Sequence, residues 1–409
     1  MRKIFVLLLI LLGFGLIPGS AQGDDTPFLR MLARVPDTTA AREFLTYVDY
    51  RAIIAARPGA PSVSTWQQYE ATARTEAGGR LQAALMGIMS GPSYFTQSFL
   101  LGGDMAEAVG FDPFTVERGI EYGQPPATVT ILEGNFDTNA VIAAHEARGY
   151  TESELGSLTL LCGADGCENG LTLNLRDRNP ANPFGGSLGR SQPVLVGDGL
   201  VVSSPSIGAL DLAASSINGE SGSLADNADY RAAAEALSAS GAVLQAYFIT
   251  PSEISTASEA LTNLSLSAAE IKALRAQLAK DFVPVPQYNL IVLGDTATDS
   301  EQIGTVALVY ANETDAEAAA ALFPAKLQNS ESLQMGRAFG EVLADRGVTS
   351  IDATVYAAST GRSVMLLALH APLPKDTTEE GRPQASSLVY SVLARAYFAR
   401  DLGWLATQF

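Results

Sequence analysis

A chain of 409 residues with 47% hydrophobic content is too apolar for global disorder and too long for one ordinary core. Its 26 Lys and Arg stand against 44 Asp and Glu, a formal net charge of −18. Such a surface repels phosphate backbones, so no nucleic acid is expected as a partner; cations or basic proteins could be drawn to it, but simple solvation accounts for it as well.

The chain opens with Arg2 and Lys3, an apolar run over residues 4–17, and then Pro18, Gly19, Ser20, Ala21 and Gly23. A basic start, an apolar core and a small-residue exit are the three parts of a secretory signal peptide, assigned here to residues 1–23. The run is short for a bilayer, which needs about 20 apolar residues of helix. An uncleaved anchor is the alternative. No Cys stands near the exit, so a lipid-modified N-terminus is not expected, and the most apolar later stretch, residues 363–371, is strand-sized. No transmembrane segment is therefore expected after cleavage, and the destination is secreted or periplasmic.

The remainder divides into two stretches, 24–220 and 221–409, in which a similar order of elements recurs. In the first, a short helix over 28–35 leads to a strand over 43–50, helical stretches over 65–77 and 79–89, and a hairpin of 118–122 with 127–132. A helix over 140–148 follows, capped by Asp137 or Thr138, then strands 194–196 and 200–203 and a helix over 207–217. In the second, a helix over 230–237 leads to a strand over 242–248, helical stretches over 252–261 and 267–281, and a hairpin of 288–293 with 304–310. A helix over 316–322, capped by Thr314 or Asp315, precedes strands 353–357 and 363–369 and a helix over 384–405. Short strands joined by tight turns point to antiparallel pairing. The expected fold is α+β: two similar halves, each a mainly antiparallel sheet with helices packed on one face.

Two stretches carry a resemblance. Gly110-Phe111-Asp112-Pro113-Phe114, then Tyr122-Gly123-Gln124-Pro125-Pro126, Leu132-Glu133-Gly134-Asn135-Phe136-Asp137 and Gly149-Tyr150, form one pattern; Ser223-Leu224-Ala225-Asp226-Asn227 before a helix and an apolar strand form the other. Together they resemble uncharacterised exported bacterial proteins with duplicated α+β domains. The resemblance implies an envelope protein and brings no catalytic residues.

The two cysteines, Cys162 and Cys167, bracket a Gly-rich turn, with Leu158 and Leu160 before it and Leu171, Leu173 and Leu175 after it. Two strands meeting there would place the thiols together as a disulfide in an oxidising compartment. The spacing is not that of a C-x-x-C redox pair.

Chemistry-bearing patterns are few. His145 lies on an Ala-rich helix and His370 ends an apolar strand; neither belongs to a zinc-type motif. There is no G-x-S-x-G elbow, no S-x-x-K pair and no phosphate loop. Asp295, Asp299 and Glu301 could collect Ca²⁺ at a turn, but the EF-type pattern is absent and a solvated hairpin turn is preferred. No catalytic residue, metal site or cofactor is assigned.

One irregular stretch is rich in Met and aromatic residues: Met86 and Met89 lead through Tyr94 and Phe95 to Phe99 and Met105. These side chains are the candidate contacts for an apolar ligand or an unknown envelope partner; packing against the sheet is the competing reading. The stripe Leu388, Val389, Val392, Leu393, Ala396 and Tyr397 offers the same choice between core and docking face. The functional expectation is an exported, non-enzymatic binding or interaction module. An envelope hydrolase with His145 or His370 as base, or a periplasmic solute-binding protein, is the alternative.

Overall fold

A computed structural model describes residues 26–92, 95–96, 104–254, 266–281, 283–374 and 386–407. The signal-peptide segment, Tyr94 and Phe99 lie outside these described residues.

The strands in chain order are β1 (Leu45–Asp49), β2 (Val116–Tyr122), β3 (Val129–Gly134), β4 (Thr151–Leu155), β5 (Leu158–Cys162), β6 (Val194–Gly197) and β7 (Leu200–Ser203). The second stretch adds β8 (Ala242–Ile249), β9 (Leu290–Ala297), β10 (Glu301–Tyr310), β11 (Glu331–Ser332), β12 (Arg337–Ala338), β13 (Ser350–Ala357) and β14 (Ser363–Pro372). Apart from the small β11–β12 pair, all join one twelve-stranded sheet in the order β13-β14-β10-β9-β8-β1-β2-β3-β7-β6-β5-β4. Every ladder in it is antiparallel.

Read outward from the β1–β8 ladder, the order is β1-β2-β3-β7-β6 on one side, continued by β5 and β4, and β8-β9-β10-β14-β13 on the other. The two stretches thus share one continuous sheet instead of holding one each. Leu45 to Val48 pair with Gln245 to Phe248 across the middle.

The expectation of helices on one face is corrected: helices cover both. The cause lies in the strands, which are apolar on both faces. Ala307 and Val309 of β10 join one core, while Val306, Leu308 and Tyr310 join another. On the first face a continuous core runs beneath helices Pro27–Leu32, Ile207–Ile217 and Ala228–Ser240. On the second face there are two cores. One lies under helices Tyr50–Ala55, Glu76–Leu85, Met105–Val109 and Thr138–Glu146. The other lies under Glu313–Asn329, Phe339–Asp345 and Leu388–Phe398. Burying each Leu, Val or Phe contributes about 1.5–3 kcal/mol, so strands buried on both faces anchor the sheet from either side.

Local signals explain the helix starts. Asp137 accepts from the Asn139 and Ala140 amides, as expected from its position. In the second stretch Asn312, not Thr314 or Asp315, is the cap; it accepts from the Asp315 amide, so the helix begins earlier than its apolar residues indicated.

The hairpin expected across the cysteines is also corrected. β5 pairs with β4 on one edge and with β6 on the other, leaving no edge for residues 171–175. That segment is a loop in which Leu171, Leu173 and Leu175 are exposed. Cys162 and Cys167 nevertheless stand as a disulfide pair, with Cα atoms 4.8 Å apart.

Candidate functional site

The two cores of the second face are separated by polar residues. Asp295 lies on β9 between Leu293 of one core and Ala297 of the other, and Gln245 lies on β8 between Leu244 and Tyr247, which are divided in the same way. A register shift between Val243 and Gln245 lets Leu244 and Gln245 serve the same face. Asp295 and Gln245 are fully buried.

Among the described residues no cation lies beside Asp295. Its carboxylate accepts from Gln245 Nε2 at 3.2 Å, from Gln302 Nε2 at 3.2 Å and from the Ser387 hydroxyl. Burial raises its pKa to about 7, against the pull of those three donors. Gln245 also ties in the loop after helix Glu76–Leu85: its Oε1 accepts from the amides of Met89 at 2.6 Å and Ser90 at 3.0 Å, and its Nε2 donates to Gly87 O at 3.0 Å. Ser90 and Tyr390 share a hydroxyl–hydroxyl hydrogen bond. Close approach completes the joint, since a Cβ on Gly304 would meet Val389 and one on Gly87 would meet the Ser386 carbonyl. The sequence placed Asp295 in a solvated turn with Asp299 and Glu301. Its position inside the sheet corrects that, and no local signal distinguished it.

Ser387 caps the start of helix Leu388–Phe398 with φ 58° and ψ 30°. At the far end the helix closes in a Schellman turn: Asp401 N donates to Ala396 O at 2.7 Å and Arg400 N to Tyr397 O at 2.8 Å. Arg400 holds the left-handed position, φ 56°, that glycine usually takes. Beyond it, buried Asp401 accepts from the Ser332 hydroxyl and the Leu333 amide, which fixes the chain to the β11 turn.

Beside this helix end lies a cavity of about 380 Å³. The turn after β8 supplies Ser252, Glu253 and Ile254; the helix end supplies Tyr397, Phe398 and Arg400. The Tyr397 hydroxyl donates to Glu253, and its own pKa lies far above the ordinary range, chiefly through burial. Tyr397 and Phe398 form an aromatic wall, their ring centroids 5.3 Å apart, and the buried Tyr247 ring backs Tyr397 at 4.7 Å. Phe398 is 58% exposed although it belongs to that wall. Its volume is at the low end for small-molecule pockets, and its lining mixes polar and apolar side chains.

The Met- and aromatic-rich candidates are dispersed. Met86 is exposed, Met89 packs part-buried against the same core as Tyr247 and Tyr397, and Phe95 is buried with its ring 5.4 Å from that of Tyr50. On the apolar stripe of the last helix, Val389, Val392, Leu393 and Ala396 are buried as core.

Among the described residues neither histidine is hydrogen-bonded to a serine. His145 donates from Nδ1 to Val141 O at 2.8 Å, while its buried Nε2 has no partner; burial lowers its pKa to about 4. His370 places Nδ1 3.0 Å from Glu301 and Nε2 3.0 Å from Asp352. The two carboxylates lie on opposite edges of the ring, so the three groups do not converge on one ion. Among the described residues no cluster of metal-ligating side chains occurs, and no helix is long and apolar enough to cross a membrane.

No protein-family model matches the chain, and no curated protein matches it. The chain is similar at low level to solved structures of TP0453. Crystal form I covers 90% of this chain and 97% of that one, at 9% identity and a TM-score of 0.31. Crystal form III covers 89% and 97%, at 7% identity and a TM-score of 0.30. Likeness of that degree carries no argument about function.

Proposed function

We propose that the protein is an exported, non-enzymatic binding module of the cell envelope, and that it takes a small ligand in the cavity between the turn after β8 and the end of helix Leu388–Phe398. The observation that carries this reading is the exposed aromatic wall of a cavity large enough for a small organic molecule. An exposed Phe398 beside Tyr397 would be covered by a ligand ring. Met89 packs against the same core as Tyr397 and Met86 is exposed, and neither lines the cavity.

The signal-like residues 1–23 and the Cys162–Cys167 pair support an extracytoplasmic destination. The matching strand orders on the two sides of the β1–β8 ladder support a duplication of 24–220 and 221–409. Among the described residues no serine is hydrogen-bonded to either imidazole, which weighs against the hydrolase alternative. The solute-binding alternative needs alternating parallel units, whereas these ladders are antiparallel.

The test uses N-phenyl-1-naphthylamine, a neutral aromatic probe that brightens in apolar surroundings. Saturable one-site binding to the full chain, weakened several-fold by Phe398→Ala with the fold unchanged by circular dichroism, is expected. Binding that is unsaturable, or indifferent to Phe398→Ala and reduced by Met86→Ala, would sink the reading.

A further inference from the structure

We infer that the cavity selects an organic anion: a molecule with a flat apolar body that stacks on the Tyr397–Phe398 wall and a carboxylate or sulfonate that meets Arg400. This rests on the cavity reading above and adds the chemical class of the ligand.

Among the described residues, two that are not glycine have φ in the left-handed region, Ser387 and Arg400, and they bracket one helix. A side chain there costs about 1 kcal/mol or more relative to glycine. At Ser387 the side chain has an internal use, since its hydroxyl donates to buried Asp295. Arg400 has the same backbone cost, yet among the described residues its guanidinium has no ion-pair partner. Of the arginines, Arg400 is the one that lines the cavity. Arg34, Arg42, Arg118, Arg231 and Arg362 each reach a carboxylate.

Position completes the case. Arg400 lines the cavity next to Phe398, and its backbone is held by the Schellman turn and by the Asp401 anchor. A planar guanidinium on a fixed backbone suits a two-oxygen anion, with which it forms paired charge-assisted hydrogen bonds. On the opposite wall the Ser252 hydroxyl is bonded to that of Thr250, which itself donates to Glu253, so Arg400 carries the open donors of the cavity. Glu253 is already engaged: one oxygen accepts from the Thr250 amide and hydroxyl, the other from Tyr397. Its acceptor positions are partly taken while the guanidinium's donors are open, which favours a ligand that brings acceptor oxygens. The net charge of −18 acts against anions generally, so affinity for one would report a local site.

The experiment compares two probes that differ by one group: N-phenyl-1-naphthylamine and its sulfonated analogue, 8-anilino-1-naphthalenesulfonate. On the full chain the sulfonate should bind more tightly, and Arg400→Met should weaken it about tenfold or more while changing the neutral probe less than twofold. Arg400→Lys should recover part of the loss. An Arg400 that served only the helix dipole would change thermal stability and weaken neither probe selectively. If the sulfonate binds no better than the neutral probe, or Arg400→Met weakens both equally, the anion assignment is overturned while the cavity reading stands. If neither probe responds to Phe398→Ala, the cavity reading fails first.

Discussion

The two ends of helix Leu388–Phe398 are alike in backbone and opposite in environment. Each carries a left-handed residue that is not glycine. Ser387 is fully buried and spends its side chain inside the protein, on Asp295 and the two glutamines. Arg400 is exposed at a cavity rim and has no such partner. The difference separates two uses of one strained conformation: at one end it joins structural layers, and at the other it presents a charge.

The largest expected effect lies at the buried end and is read by pH. Asp295 has a folded pKa of about 7 against an ordinary 3.8. The folded state therefore holds a proton that the unfolded chain releases, and stability falls as pH rises from about 4 to about 7, by an order of 4 kcal/mol in all. Asp295→Asn should remove that slope in denaturant titrations across this window; an unchanged slope would mean that the buried carboxyl is not the group responsible. His145 works in the opposite direction. Its folded pKa of about 4 lies below the ordinary 6.5, so its contribution is complete above 6.5 and is lost as pH falls toward 4. With Asp295→Asn in place, acid-side loss from His145 should become visible, and adding His145→Phe should flatten it.

Glycine substitutions sharpen the comparison directly. Ser387→Gly relieves the backbone but removes a donor from a buried carboxyl, a loss of about 1–3 kcal/mol, so the variant should be less stable overall. Arg400→Gly relieves the same conformation with no internal bond to lose, and should be neutral or more stable by up to about 1 kcal/mol. Equal effects at the two positions, measured by urea unfolding, would erase the distinction. The smallest change belongs to Phe398→Ala, which should barely alter stability because the ring is largely exposed.

Much of the sheet was legible from alternation and turn residues. The pairs β2–β3, β6–β7, β9–β10 and β13–β14 follow hairpin signals in the chain. What joined the two stretches was not legible: the β1–β8 ladder links residues about two hundred positions apart, and no local pattern encodes it. The second layer of helices was missed because a strand buried on both faces reads as a short apolar run, without the alternation that marks one wet face. The cavity was missed for a related reason. Tyr397 entered as one member of a helical stripe, while Phe398 and Arg400 fell off it, and their importance arises only where the turn at Ser252–Ile254 meets the helix end. Asp295 is the clearest case: between Gly294 and Thr296 it resembles a turn residue, and only Gln245, Gln302 and Ser387, brought from three other elements, explain its burial.

The most direct measurement is a crystal structure of the full chain with 8-anilino-1-naphthalenesulfonate. Density for one probe is expected in the cavity, its rings against Phe398 and Tyr397 and its sulfonate within hydrogen-bond distance of the Arg400 guanidinium. A probe seated instead at Met86 and Met89, or one in the cavity with its sulfonate turned away from Arg400, would contradict the assignment of the helix end as the binding end.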